Sequence, residues 1–290
     1  MNIPDIKFKH PVSQSKGIEL VELDELYDRR LKMDHDPNQP HRVHFSLMIY
    51  IEQGEGTHFI DFNSYPFSKG SFIFVNKNQI QAFALNENIK GKLVLFTESF
   101  IDKVQTNMKV SAHSLNHFHT AYSPIFTPSA ALTSSCVTLL SQIQKEVNHQ
   151  ENNALITMLL FSSLFLMLER ERPGLDTKSL SKSQVTQFNL FSALLEEGLT
   201  EKRDASYYAN QLHITYKTLN NLCKLATERT AKQLIDTYTI TEAKRRLILD
   251  SKQVQEIAYE LGFEETSNFV KYFKKHTLVT PSQFQKLARS

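Results

Sequence analysis

A segment near the end of the chain occurs twice, and this repetition constrains the fold more than any other feature. Set beneath "IAYELGFEETSNFVKYF" from Ile257, the earlier "YANQLHITYKTLNNLC" from Tyr208 matches Tyr208/Ile257, Ala209/Ala258, Leu212/Leu261 and Ile214/Phe263 at an offset of 49. Leu219/Phe269, Leu222/Tyr272, Cys223/Phe273, Thr230/Thr280 and Leu234/Phe284 match at 50, so the second copy holds one extra turn residue. Each copy reads as a short helix, a tight turn and a second helix with one apolar face. That is the helix-turn-helix arrangement, in which the second helix lies in the major groove of DNA.

The parts follow from residue chemistry. Ala258 is small enough for close helix approach, and Gly262 can adopt the positive φ of a helix end. Phe263 fills the wedge, while Phe269 and Phe273, four apart, turn inward with Ile257 and Leu261. Thr266, Ser267, Val270 and Lys271 are left for bases, with Lys274 and Lys275 at phosphate height. In the first copy Thr215 is a good N-cap. Leu219, Leu222 and Cys223 turn inward, leaving Tyr216, Lys217, Asn220, Asn221 and Lys224 for DNA; asparagine pairs with adenine and lysine with guanine or phosphate. "TPSQ" at 280–283 is a capping box with proline at the first helical position. "TITEAKRRLILD" reads as a connecting helix, with Ile240, Ala243 and Leu247 inward and Arg245 and Arg246 available for phosphates. Recognition helices about 34 Å apart would enter successive major grooves on one face of the duplex.

Charge agrees with this direction without deciding it. The 290-residue chain carries a net +2, but residues 184–290 hold 15 Lys and Arg against 12 Asp and Glu, while residues 1–183 hold 18 against 19. A mildly basic C-terminal part permits a polyanion partner. Two cysteines are too few for a disulfide framework or a thiolate zinc site, which points to a reducing, cytoplasmic compartment. No run of eighteen apolar residues suggests a membrane span, and the N-terminus has no apolar signal-peptide core.

The N-terminal part has a different period. "HRVHFSLMIYIEQGEG" alternates, with Val43, Phe45, Leu47, Ile49 and Ile51 on one face and His44, Ser46, Met48 and Tyr50 on the other. Further short strands follow to about residue 97, as in an antiparallel barrel or sandwich. Residues 130–148 and 153–170 read as helices, the second apolar around most of its circumference. Two apolar faces need two partners, and a second copy of the chain is the natural second one. "RPGLDTKSLSKS" reads as a linker. The expected organisation is 1–128 sensor, 129–172 helical dimerisation segment, 173–183 linker and 184–290 DNA-binding domain. The fold class is α+β: a barrel with a helical segment, then an all-α domain with two helix-turn-helix units joined by a connecting helix.

Residues 200–287 resemble the DNA-binding domain of the AraC/XylS family of bacterial transcription regulators. The family signature IA-x2-LGF-x5-F-x3-FKK and the later TP-x2-F stand here in "IAYELGFEETSNFVKYFKKHTLVTPSQF". The resemblance implies base-facing roles for Lys217, Asn220, Asn221, Thr266, Ser267 and Lys271. Departures are His213, Glu228 and Leu278 in place of glycine, Ala231 in place of proline, Gln285 in place of arginine and Glu265 in place of a better cap. "GEGTHFIDF" and "KGSFIFVNKNQIQAF" resemble the cupin-type sensor of the same family. Asn76, Asn78 and Gln81 fall where a metal-binding cupin has Pro, Gly and His, and a carboxamide is a poor transition-metal ligand. No metal, cofactor or catalytic activity is expected.

An organic effector inside the barrel is the expected cargo. Arg42, His44, Met48 and Tyr50 on one strand face, with Phe72, Phe74 and Gln81 on later strands, are the candidate contacts. An arginine or histidine beside aromatics suits a carboxylate. His113, His117 and His119 read as a polar loop. The resulting expectation is a ligand-responsive, sequence-specific regulator that binds double-stranded DNA as a homodimer, with RNA polymerase a further partner where it acts as an activator. The alternatives are a cupin-like metalloenzyme fused to a helical domain, and an effector-independent regulator controlled by a protein partner.

Overall fold

In a computed structural model of the protein, the described residues are 3–8, 17–30, 33, 35–108, 123–172, 180–197, 203–249 and 252–289. The loop with His113, His117 and His119, and residues 173–179 of the expected linker, lie outside them. The described residues form two compact units, one of residues 4–172 and the other of residues 180–289 with residue 3.

The first unit is built on two five-stranded sheets. One has the order β1 (Asp5–Ile6), β3 (His41–Val43), β8 (Ile80–Ala82), β5 (Gly56–Ile60), β6 (Asn63–Phe67). The other runs β10 (Ile125–Phe126), β7 (Phe72–Val75), β4 (Ser46–Gln53), β9 (Lys90–Phe96), β2 (Ile18–Glu22). All pairings are antiparallel except β1 with β3. Val43, Phe45, Leu47, Ile49, Ile51, Ile60, Phe67, Ile73, Val75 and Leu93 fill the space between the sheets, as in a cupin-type barrel.

A second apolar layer lies on the outer face of the β4 sheet. Helices α1 (Leu23–Arg29) and α2 (Glu98–Met108) are followed by α3 (Ala130–Asn148) and α4 (Ala154–Glu171). From α3, Cys136, Leu140 and Ile143 pack onto Met48, Tyr50, Phe72, Phe74, Val94 and Phe96, together with Phe161, Leu164 and Phe165 of α4. Phe96 meets Phe161 and Phe165 edge-on at 5.1 and 5.6 Å, and Phe74 meets Phe165 at 6.3 Å. Ser129 caps α3, and the Glu171 carboxylate accepts from its N–H and Oγ at 2.7 and 2.8 Å, tying the start of α3 to the end of α4. A half-buried pairing of Lys92 with Glu22 and Gln144 pins α3 to β2 and β9.

These contacts correct the expected effector face. Met48, Tyr50, Phe72 and Phe74 meet helices and not the barrel interior. Both faces of β4 are apolar, so alternation alone could not say which one looked inward.

The second unit contains α5 (Lys182–Glu197) and then the repeat: α6 (Ala205–Gln211), α7 (Tyr216–Thr227), the connecting helix α8 (Ala231–Leu249), α9 (Val254–Glu260), α10 (Thr266–Thr277) and α11 (Pro281–Arg289). Repetition extends to the backbone. The Leu212 N–H donates to Tyr208 O as Leu261 does to Ile257 O; His213 to Asn210 as Gly262 to Tyr259; Ile214 to Ala209 as Phe263 to Ala258. The six distances lie between 2.9 and 3.1 Å. Thr230/Gln233 and Thr280/Gln283 form matching reciprocal caps. Around α9–α11 the core is Ile240, Ala243, Leu247, Ile257, Ala258, Leu261, Phe263, Phe269 and Phe273.

The departures from glycine sit where left-handed backbone is required. His213, Glu228 and Leu278 have φ of 53°, 60° and 67°, and Gly262 has 69°. A non-glycine residue there costs on the order of 1 kcal/mol or more. Leu278 is 85% exposed, so its side chain returns little packing. Leu278→Gly is therefore expected to stabilise the C-terminal unit by about 1 kcal/mol, read as a raised thermal unfolding midpoint by circular dichroism. A lowered midpoint would contradict the left-handed end of α10.

Candidate nucleic-acid interface and sensor cavity

Burial of one side of α7 and α10 decides what the other side can do. On α10, Phe269 and Phe273 are fully buried, and Ser267, Asn268, Lys271, Lys274 and Lys275 are exposed on the opposite face. On α7, Leu219, Leu222 and Cys223 are buried; Lys217, Thr218, Asn221, Lys224 and Leu225 are exposed, with Tyr216 exposed at the helix start. The two outward faces correspond at an offset of 50, and Leu225 stands where the second has Lys275. The last turn of α10 concentrates positive charge, and Thr215 caps α7 by accepting from the Thr218 N–H at 3.1 Å. Donors and cations on a protruding helix suit base edges and phosphates.

Some expected contacts are placed otherwise. Asn220 is half-buried, and its Oδ1 accepts from the Ala231 N–H at 3.3 Å, satisfying an otherwise unpaired group at the start of α8. Arg245 is only 8% exposed and sits against Glu242. Arg246 donates to Glu242 at 2.9 Å and to Glu260 at 3.1 Å. Arg246 thus ties α8 to α9, while Arg245 pairs within α8, so both expected phosphate contacts are engaged in ion pairs instead. Thr266 and Val270 lie at the half-buried flanks of α10. Asn268 and Thr218, absent from the expected contacts, lie on the exposed faces. Their signal was in the sequence: each is three residues before a named polar contact, on the same side of its helix.

A brace joins the two helix-turn-helix units. The Arg203 guanidinium lies 3.4 Å from the Phe263 ring centroid and donates to Gly262 O at 3.0 Å. Tyr272 of α10 donates its hydroxyl to Asp236 of α8 at 2.7 Å. A residue leading into the first unit thus holds the turn of the second, and the connecting helix holds the second recognition helix.

In the barrel, Arg42 donates to both carboxylate oxygens of Asp5 at 2.6 and 2.9 Å, and His44 Nε2 is 3.3 Å from Asp5. The Arg42 guanidinium holds the Asp5 carboxyl below its ordinary pKa. By strand alternation Arg42 and His44 are on the other side of the chain from inward-facing Val43 and Phe45. Arg42 and His44 therefore serve the β1–β3 contact. Gln81, by contrast, is buried: its Oε1 is 2.9 Å from His58 Nε2 and its Nε2 is 3.0 Å from His41 Nε2. His41 Nδ1 is 2.9 Å from Gln39 O. Burial pushes both imidazoles down to about 4, so they are neutral at physiological pH.

Beside this chain lies a cavity lined by His58 and by Leu23, Ile49, Ile51, Phe67, Ile73, Phe83, Ala84, Leu85 and Ile89. Its partly open space measures about 210 Å³, but the room left by the side chains, about 10 Å³, admits a single water. Of the expected effector contacts, then, the structure brings Gln81 to the interior, Arg42 and His44 to the Asp5 pair, and Met48, Tyr50, Phe72 and Phe74 to the helices.

Comparison with known proteins bears on both units. A family model described as an AraC-like ligand binding domain matches residues 27–165, and one described as a helix-turn-helix domain matches residues 208–287. The raffinose operon transcriptional regulatory protein RafR of Pediococcus pentosaceus is 28% identical over 150 residues, 51% of this chain and 53% of that protein. The HTH-type transcriptional activator RhaS of Escherichia coli K12 is 19% identical over 236 residues, 81% of this chain and 83% of that protein. A crystal structure of ToxT from Vibrio cholerae O395 aligns with a TM-score of 0.42 at 16% identity, covering 85% of this chain and 90% of that one.

The revised role of Asn220 can be checked. Asn220→Ala is expected to lower the stability of the C-terminal unit by about 1 kcal/mol through loss of a helix-start partner, while the base preference of bound DNA stays the same. A changed preference at unchanged stability would return Asn220 to the interface.

Proposed function

The chain belongs to the AraC/XylS family of transcription regulators, and on that footing we propose how it reads DNA. It is a DNA-binding regulator with an N-terminal ligand-binding domain. The observation that carries the proposal is the matched pair of outward faces on α7 and α10, each set by the burial of the opposite side. In this reading Lys217, Asn221, Ser267, Asn268 and Lys271 face base edges. Tyr216, Lys224, Lys274 and Lys275 contact the backbone, and Thr266 and Val270 flank the bases. Arg203, Asp236 and Tyr272 fix the register of the two helices.

The organisation proposed is a sensor at 1–128, helices at 129–172 that pair two copies, a linker at 173–183 and the DNA-binding domain at 184–290. Leu155, Ile156, Leu159 and Leu166 expose an apolar stripe on α4, each at least 40% accessible, which suits self-association. Two tethered DNA-binding domains gain avidity on paired sites. A small organic effector in the barrel would bias the pairing according to its preference between states. The cytoplasm is the proposed compartment; among the described residues no helix is long and apolar enough to cross a membrane. RNA polymerase is the proposed partner at an activated promoter.

Two measurements test this. On a DNA fragment selected by the protein from a genomic pool, Lys271→Ala is expected to weaken binding by about 1–3 kcal/mol and relax one base position. Lys275→Ala is expected to weaken all sequences alike and reduce the salt slope by about 1. Unchanged binding by both variants would remove α10 from the interface. For self-association, sedimentation velocity is expected to show a dimer that Leu159→Glu converts to monomer; an unaltered dimer would move the interface off α4.

A further inference from the structure

The two recognition helices present the same side outward but not the same chemistry. On α7 the side chains of Lys217, Asn221 and Leu225 are four apart and exposed, so they form one row along the helix. Ser267, Lys271 and Lys275 form the matching row on α10, at the offset of 50. Asn221 and Lys271 each stand sixth in their helix and hold the middle of the row. Among the described residues, no hydrogen bond or ion pair engages either of them. Polar neighbours are engaged within the protein: Asn220 Oδ1 accepts from the Ala231 N–H at 3.3 Å, and Lys232 pairs with Asp236. The fold leaves Asn221 and Lys271 to an outside partner.

What each can recognise follows from its donors and acceptors. The asparagine amide both accepts and donates, and it matches adenine, which offers an acceptor at N7 beside a donor at N6. The lysine ammonium only donates, and it matches guanine, which offers two acceptors at O6 and N7. The last place in the row differs more. Leu225 is 45% exposed on this polar side, although its side chain can neither donate nor accept. In a major groove an apolar side chain has one complementary feature, the C5 methyl of thymine. Leu225 lies about 6 Å further along the helix than Asn221, roughly two base pairs of duplex. Lys275, on the same spot of α10, is long enough to reach a phosphate instead.

We propose that Asn221 and Leu225 select an adenine and, about two base pairs away, a thymine for the first unit. The second unit takes guanine through Lys271 and a phosphate through Lys275 at the matching places. This rests on the reading of α7 and α10 as recognition helices, and it assigns Leu225, which that reading left without a role. The half-sites are therefore unlike where the helices correspond, and the two units are not interchangeable on DNA.

The test is selection of duplexes from a random-sequence pool by the full chain and by variants at these exposed positions, each checked for an unchanged thermal unfolding midpoint. Asn221→Lys is expected to replace one adenine of the selected motif by guanine, and to bind that guanine duplex about tenfold or more tighter than the original. Lys271→Asn is expected to make the reverse exchange in the other cluster of specified bases. Leu225→Lys is expected to relax a thymine in the same cluster as the Asn221 adenine and to steepen the salt slope by about 1. Where lysine at 221 lowers the midpoint, Asn221→Ala takes its place and is expected to relax the same adenine. A motif unchanged by the substitutions at 221 or 271, changes by both in one cluster, or a folded variant that enriches nothing would overturn the proposal. A thymine retained by Leu225→Lys removes Leu225 from it. If the unaltered chain enriches a motif that no substitution changes, only these base assignments fall; if it enriches nothing, the reading of α7 and α10 as DNA-binding falls with them.

Discussion

Phe269 and Phe273 are buried together against α8 and α9, and this contact orients the rest of the DNA-binding unit. A buried phenylalanine replaced by alanine typically costs 3–5 kcal/mol, far more than any surface charge contributes. The helix therefore has one low-energy rotation about its own axis. Lys271, Lys274 and Lys275 face outward because the aromatics cannot. Leu219, Leu222 and Cys223 impose the same choice on α7. Arg203 over Phe263 and Tyr272 on Asp236 then turn two oriented helices into one rigid reading head.

The repeat was legible because it records two solutions to one packing problem. Small, apolar and turn residues recur at fixed offsets, and the same backbone hydrogen bonds recur with them. Burial of Ile240, Ala243 and Leu247 was readable for the same reason: a helical stripe has one period and one interior. Polar roles were less legible. Asn220 and Arg246 lie on helix flanks, where a side chain reaches either solvent or a neighbouring helix. Only the fold shows that Ala231 and Glu260 are within reach. Likewise β4 alternates correctly, but the choice of inner face depended on α3 and α4, whose docking lies far along the chain.

In the sensor the same limit concealed a buried polar cluster. His41, His58 and Gln81 are separated by 17 and 23 positions in the chain, and no local spacing links them. Antiparallel pairing does: His41 lies opposite Gln81 across β3 and β8, and Gln81 lies opposite Ile60, two residues from His58. A backbone carbonyl at one end of this chain, Gln39 O, thereby orders three buried side chains that lie far apart in sequence.

The central claim is that two recognition helices, held rigidly, read DNA together. Selection of bound duplexes from a random-sequence pool by the full chain, at moderate ionic strength, tests it most directly. The predicted outcome is a motif with two separated clusters of specified bases about 10–10.5 base pairs apart centre to centre, the spacing of successive major grooves. Enrichment of a single compact cluster, or no enrichment above random competitor, would contradict it.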